Sequence, residues 1–302
     1  MASAREMRLR IRSVENIAQV TRALQAVSAS RVRKAEARVK QTRPYADKAW
    51  QVLRHLSVQP AKGDLHPFLQ PPELVKNVIA VVITGDRGLA GAYNTNILRY
   101  TLENFSKSAA PVKYVVVGRK GRDTLIRRRV DILAEFSDLP AEPTFADVSA
   151  VGSLVMDEFV SGRADQVFLV YTDFVNFIHQ IPRHKLLLPV SFEELPIGEN
   201  SNSNTGASPQ REAALQTYFY EPSQEALISQ IVPRLTELQV YQAITESLAS
   251  EHAARMVAMQ NATDNAFELA GALRLEYNKA RQQAITSDML DIAGGAEALT
   301  DA

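Results

Sequence analysis

The chain has 302 residues, of which 46% are hydrophobic, and its 34 basic side chains balance 34 acidic ones. The absence of cysteine excludes a disulfide framework, thiolate metal ligands, a cysteine nucleophile and regulation by thiol oxidation. No apolar run approaches the roughly 20 residues that a membrane-spanning helix needs, and the basic start MASAREMRLRIRS lacks the apolar core of a secretory signal.

The zero net charge conceals a strong asymmetry along the chain. Residues 1–54 carry 13 basic and 4 acidic side chains, so this segment has a net charge of +9 and the remainder has −9. A basic segment of this size implies an acidic partner. Nucleic acid, an anionic lipid surface and an acidic protein surface all fit that description.

The N-terminal part, residues 1–58, is predicted to be one long helix that begins near residue 3. It contains no glycine, and its one proline, Pro44, is predicted to kink or restart the helix. Apolar residues recur at steps of three and four, which is typical of a helical stripe close to the 3.5-residue repeat of coiled coils. The first series is Met7, Ile11, Val14 and Ala18, and the second is Ile17, Val20, Leu24 and Val27.

The central part, residues 76–215, alternates short β-branched or aromatic runs with helical stretches. Such alternation is typical of an α/β layer domain with a buried, mainly parallel sheet. Residues 184–192 are predicted to add an edge strand. The other predicted strands are 78–84, 113–118 and 166–174, and the predicted helices between them are 94–107 and 147–162.

The C-terminal part, residues 223–299, is again predicted to be one helix. At about 1.5 Å per residue it is on the order of 100 Å long, which exceeds the width of a compact domain. Because a helix of this length cannot leave its apolar stripe in water, it needs a partner helix. The sequence therefore predicts a long antiparallel coiled coil of the N- and C-terminal helices, with a central α/β (Rossmann-like) domain inserted between them.

The segment ITGDRGLAGAYN, residues 83–94, is called the glycine-rich loop below. Its glycines are spaced G-x-x-G-x-x-G, at Gly85, Gly88 and Gly91. Neither the dinucleotide fingerprint nor the P-loop has this spacing. Three interpretations remain: a phosphate site, a tight turn in which Asp86 or Asn94 caps the following helix, and a loop whose tip residue Arg87 touches a partner.

The remaining chemistry-bearing residues predict no catalytic set, no metal site and no cofactor. GRKGRD, residues 118–123, is a second glycine-containing turn, and a solvated basic turn is favoured over a phosphate site. No pair among the five histidines has metal-ligand spacing, and no Ser–His–Asp set follows from the spacing.

Four segments, spread over nearly the whole chain, carry specific motifs. They include RIRSVENIAQVTRALQAVSASRVRKAEAR (10–38), GDRGLAGAYNTNI (85–97), LQVYQAITESLASEHAARMVAMQNATDNA (238–266) and EYNKARQQAITSDMLDIAGGAEAL (276–299). Together they resemble the gamma subunit of the F-type ATP synthase, whose loop reads S-D-R-G-L-C-G-x-x-N. This chain departs from the family pattern at Ala90, where many members have cysteine, and at Asp288, where glutamate is usual.

The resemblance implies a rotor shaft. The coiled coil is expected inside a ring of three α and three β subunits, and the α/β domain at its foot with the ε subunit and the c-ring. Ion flow through the c-ring turns the shaft, which drives each β subunit through its nucleotide states. ATP chemistry then occurs on β, so this chain is expected to be non-catalytic by itself, and peripheral to a bacterial plasma membrane on the cytoplasmic side.

The resemblance also implies candidate contact residues. Five basic residues of the first helix match family positions that contact an acidic lever segment of β, namely Arg8, Arg10, Arg31, Arg33 and Lys34. Leu24 matches a position that faces the ring, and Arg87 matches an arginine that reaches the lever. Arg281, Gln282 and Thr286 match residues of the last helix that hydrogen-bond a loop of β.

Two rival functions stay open for the sequence. A nucleic-acid-binding coiled-coil protein with an α/β head predicts salt-sensitive binding of DNA or RNA, although the only aromatic residues before Phe68 are Tyr45 and Trp50. A nucleotide-dependent enzyme predicts stoichiometric ATP binding by the isolated chain.

Overall fold

The structure, a computed structural model, describes residues 4–58, 67–70, 72–190 and 224–300. The polar segment 197–210 and the part of the predicted central domain beyond residue 190 lie outside these described residues. The division of the sequence into 1–58, 76–215 and 223–299 therefore stays a prediction.

Two long helices hold most of the described residues outside the sheet. Helix α1 spans Ala4–Val58 and helix α5 spans Gln224–Thr300. Both are continuous across their internal prolines, so the predicted restart of α1 at Pro44 is wrong, and the alternative, a kink there, stays a prediction. The contacts between Cα atoms divide the chain into two compact units, residues 31–254 and residues 1–30 with 255–302. We call them the sheet unit and the helix-pair unit.

The sheet unit contains five strands among the described residues: β1 Val78–Ile83, β2 Val112–Val117, β3 Ile132–Phe136, β4 Gln166–Phe174 and β5 Gln180–Leu188. Their order in the sheet is β3-β2-β1-β4-β5. The strands β1 to β4 are parallel and β5 is antiparallel to β4, which confirms the mainly parallel sheet. The predicted edge strand, 184–192, is present as β5 but begins four residues earlier, and β3 was not predicted from the sequence.

Helices cover both faces of the sheet. The short ones are α2 Tyr93–Phe105, α3 Arg119–Arg127 and α4 Phe145–Val160, and a 3₁₀ turn lies at Pro67–Leu69. Because successive strand residues point to opposite faces, Ile79, Val81 and Ile83 pack with α4 and the N-terminal part of α5. Their neighbours Ala80 and Val82 pack on the other face with α2 and α3.

The helix-pair unit joins the first half of α1 to the second half of α5. The Thr21 and Thr263 hydroxyls lie 2.7 Å apart, and the Arg8 guanidinium donates to the Tyr277 hydroxyl at 2.6 Å. The lower-numbered contact in α1 therefore meets the higher-numbered residue of α5, so the helices are antiparallel as predicted. Small side chains let the backbones approach, and the buried ones include Ala18, Ala266 and Ala270.

Candidate functional site

The glycine-rich loop is held by its own side chains. The Gly85 N–H donates to Asn94 Oδ1 at 2.9 Å, and Asn94 Nδ2 donates to the carbonyl of Arg87 at 3.4 Å. Asn94 therefore joins the start of the loop to its tip. The predicted capping of α2 by Asp86 or Asn94 is wrong, because the N-cap residue is Ala92 and makes no side-chain cap.

The loop instead caps the next helix. The free N–H groups at a helix N-terminus are the usual donors to a bound phosphate, but the first three of α3 already donate to the loop. The bonds run from Arg119 N–H to Asp86 Oδ1 (3.0 Å), from Lys120 N–H to the Gly85 carbonyl (3.1 Å) and from Gly121 N–H to Thr84 Oγ1 (3.0 Å). The N–H groups of the GRKGRD turn are thus hydrogen-bonded to acceptors of the glycine-rich loop. This removes the support for a phosphate site in either segment.

Helix α5 fills the place where open α/β sheets usually bind ligands. That place is the crevice at the carboxyl ends of two neighbouring strands where the strand order reverses, here β1 and β4. Ser247 Oγ accepts from the Thr172 N–H at 3.1 Å, and Ser250 Oγ donates to the Thr172 carbonyl at 3.1 Å. The remaining cavity beside β1 has a volume of about 40 Å³, far below the roughly 300 Å³ of a small ligand pocket.

The basic candidates on α1 differ in their surroundings. Arg8 stacks over the Tyr277 ring, 5.5 Å from its centre, and Arg10 pairs with Glu6 at 2.7 Å on the same helix. In the part of the chain that the structure describes, Arg31 and Arg33 are exposed and form no ion pair. Their guanidinium groups are therefore available to a partner.

Lys34 has an internal partner that the sequence did not indicate. Lys34 Nζ donates to Glu142 Oε1 at 3.1 Å, and Arg38 pairs with the other oxygen of the same carboxylate. The hydrogen bond from Lys34 and the charge of Arg38 hold the pKa of Glu142 below its ordinary value. No local sequence pattern predicts this pair, because 108 residues separate Lys34 from Glu142.

The two apolar series of α1 have different environments. Met7, Ile11 and Val14 are half-buried, and Ala18 is fully buried. In the second series Ile17 is 52% exposed, Val20 59% and Val27 49%, and Leu24 is half-buried. We call Ile17, Val20, Leu24 and Val27 the outer stripe. The helix-pair unit covers the first series and leaves the outer stripe largely in solvent.

The candidates near the end of α5 are all exposed. Every residue from 281 to 293 is exposed, including four large apolar side chains, Ile285, Met289, Leu290 and Ile292. Within this segment Thr286 Oγ1 donates to the carbonyl of Gln282 at 2.9 Å. That is the one described hydrogen bond that joins two of the predicted site residues.

The described residues contain neither a helix suited to cross a membrane nor a cluster suited to bind a metal ion. No described helix combines the length and the apolarity that crossing a membrane requires. No group of three or more His, Asp or Glu side chains among them is arranged to hold a metal ion.

Comparison with known proteins decides the family. A family model described as ATP synthase matches residues 3–299. The ATP synthase gamma chain of Dehalococcoides mccartyi strain CBDB1 is 45% identical over 300 residues, which are 99% of this chain and 100% of that one. The chain belongs to the ATP synthase gamma chain family. The gamma chain of Roseiflexus castenholzii is 42% identical over 305 residues, with full coverage of both chains.

Chains in solved structures of ATP synthases have the same fold. A chain of the Euglena gracilis mitochondrial ATP synthase, determined as OSCP/F1/c-ring in rotational state 3, matches with a TM-score of 0.68 and 20% identity over 98% of this chain and 94% of that one. A chain from the rotor of the same enzyme matches with a TM-score of 0.63 and 22% identity over 93% and 98%. These relatives are all parts of ATP synthases and give no support to a nucleic-acid-binding protein.

Proposed function

We propose that this gamma chain is the central rotor shaft of an F-type ATP synthase, which couples ion flow through a c-ring to ATP synthesis on β subunits by rotation. The observation that carries this proposal is the outer stripe. Fully burying an aliphatic side chain is worth about 1.5–3 kcal/mol, so a series of exposed valine and isoleucine residues on a long helix favours an enclosing protein surface.

The positive charge on α1 also favours an enclosing protein surface, and one that is acidic. Arg31 and Arg33 are exposed and lie within the segment whose net charge is +9. Guanidinium groups form strong, geometrically defined pairs with carboxylates. An acidic lever segment on β fits both properties, and Arg8, Arg10, Lys34 and Arg87 are the further candidates for this contact.

The end of α5 is the second proposed contact. Arg281, Gln282 and Thr286 occupy a stretch in which polar and apolar side chains are exposed on every side of the helix. A loop of β that hydrogen-bonds these three residues, inside an apolar sleeve that covers Ile285 and Met289, explains both groups. Leu24 of the outer stripe is proposed to face the same ring.

The places where a phosphate or nucleotide could bind are filled by the chain's own groups, which supports a non-catalytic role. The first N–H groups of α3 donate to the loop, and Ser247 and Ser250 of α5 fill the crevice at the end of β4. Nucleotide chemistry is therefore assigned to β. The sheet unit is proposed to hold the ε subunit and the c-ring, which makes the chain peripheral to the membrane, on its cytoplasmic side.

Co-purification tests the proposal. The chain is tagged in its own host, membranes are solubilised gently, and partners are identified and counted. We expect α, β, ε and c subunits with one copy of this chain for every three β. Recovery of the chain alone, or with nucleic acid, would contradict the proposal.

A further inference from the structure

The carboxylate of Glu251 lies directly over Gly85 of the glycine-rich loop. Glu251 belongs to α5 and is 6% exposed. A Cβ atom placed on Gly85 would lie 2.8 Å from the carboxyl carbon and 2.9 and 3.0 Å from its two oxygens. These nearly equal distances mean that the carboxylate covers Gly85 with its flat face, so a larger residue there must displace it.

Packing alone does not account for a glutamate at this place. Glu251 is not without a polar or electrostatic partner, but burying even a paired carboxylate is often less favourable than burying an apolar side chain of similar size. A leucine or methionine would fill the same volume at lower cost. The acidic group therefore indicates a specific role at the contact between α5 and the loop.

A short series of contacts leads from Gly85 to the loop tip. Gly85 N–H and the Arg87 carbonyl are both bound by Asn94, and the Gly85 carbonyl accepts from Lys120 N–H at 3.1 Å. Arg87 itself is exposed and forms no ion pair with the described residues. The side chain of Asn94 therefore links Gly85 to the backbone of Arg87.

We propose that Glu251 is a positioning residue that fixes the glycine-rich loop against α5. It holds Arg87 in place for its acidic partner, and a force on Arg87 passes through Gly85 to the long helix. The inference rests on the proposed contact between Arg87 and β.

A double-mutant cycle in the whole complex tests the inference. Arg87→Ala, Glu251→Gln and the double variant are compared in membrane vesicles by the rate of ATP synthesis per assembled complex. We expect each single change to lower this rate about three- to tenfold. The double variant should be no slower than Arg87→Ala, because Glu251 acts only through Arg87.

Two further variants complete the design. Gly85→Ala displaces the carboxylate without removing its charge, so it should behave as Glu251→Gln does even if that variant assembles poorly. Gly152→Ala is the matched control. Its Cβ would lie 3.0 Å from Cγ of Glu237, which, like Glu251, belongs to α5. It should leave the rate per assembled complex unchanged.

The outcomes separate the inference from the function on which it rests. A normal rate in Arg87→Ala contradicts the proposed contact of Arg87 with β, and the inference falls with it. A slow Arg87→Ala combined with a normal Glu251→Gln, or with a double variant whose two losses multiply, overturns the role of Glu251 alone.

Discussion

In the sheet unit the chain's own groups occupy the helix N-terminus and the crevice at which an α/β domain could bind a ligand, whereas in the helix-pair unit two apolar surfaces of the long helices stay exposed. The N–H groups at the start of α3 donate to Thr84, Gly85 and Asp86. The outer stripe and the last described turns of α5 have no such cover. This difference is the reason that the proposed contacts with the ring are placed on the two long helices.

The largest expected effect comes from a charge in the outer stripe. Val20→Glu removes about 1.5–3 kcal/mol of apolar burial and places a carboxylate against the ring, so assembly should weaken by about 100-fold or more. The free energy of unfolding of the isolated variant should lie within about 0.5 kcal/mol of the parent value, because Val20 is 59% exposed. Quantitative pull-down of α and β measures the first effect and thermal denaturation the second.

Ile126→Glu is the matched control for that change. Ile126 is 57% exposed on α3 of the sheet unit, so this variant should assemble with α and β normally. Equal assembly of the two variants would mean that the outer stripe is an ordinary solvent-facing surface.

The next effect concerns the end of α5. Arg281→Ala removes an exposed guanidinium that has no ion pair among the described residues, so the isolated chain should keep its stability. Loss of a charged hydrogen bond to β costs about 1.5–3 kcal/mol, so ATP synthesis should fall roughly tenfold or more at equal complex content. Lys279→Ala, two residues earlier and also exposed, is the control and should retain its rate.

A smaller effect is expected inside the sheet unit, on stability alone. Arg163 donates to both oxygens of the buried Glu158, at 3.0 Å from Nε and 2.8 Å from Nη2. Arg163→Ala should lower the free energy of unfolding at pH 7 by about 1–3 kcal/mol, because it leaves the Glu158 carboxylate without the hydrogen bonds from the guanidinium. Arg163→Lys, which keeps the charge, should lose less.

The same pair gives a pH dependence with a definite sign. Its hydrogen bonds hold the pKa of Glu158 below the ordinary value, so the stabilisation is present above about pH 4.3 and is lost as the pH falls through the lowered folded-state pKa. The stability gap between parent and Arg163→Ala should therefore narrow below about pH 4. A gap that widens in acid would contradict this assignment.

The smallest effect is expected at the start of α4. The Thr144 hydroxyl and N–H both bond Asp147 Oδ2 at 2.7 Å in a capping box. Thr144→Ala should cost about 1 kcal/mol of stability, and Thr144→Ser should cost almost nothing. Assembly and ATP synthesis should be unaffected by either, which the same vesicle assay measures.

Sequence patterns predicted most of the fold because its central strands are buried on both faces. Such strands appear as continuous apolar runs, and 166–174 was predicted with its observed bounds. The edge strand β3 was missed because ILAEF is only half-buried and contains Glu135. The long helices were predicted from their periodic apolar residues.

The role of the glycine-rich loop could not be derived from local sequence. The groups that occupy its surroundings are the α3 N–H groups, some 33–37 residues away, and Ser247 and Glu251 of α5. The glycine spacing within the loop did not decide whether the loop binds phosphate. The hydrogen bonds between the loop and α3, which only the folded structure shows, remove the support for that interpretation. The outer stripe was visible as a pattern, but its exposure depends on which series α5 covers.

Direct observation of rotation tests the central claim. The chain has no cysteine, so Ile178→Cys, at a position that is 74% exposed in the turn between β4 and β5, gives one attachment point for a bead. With the α and β subunits fixed to a surface, we expect the bead to turn in one direction while ATP is present and to stop when it is removed. A bead that stays attached but stationary while the complex hydrolyses ATP would contradict the rotor account.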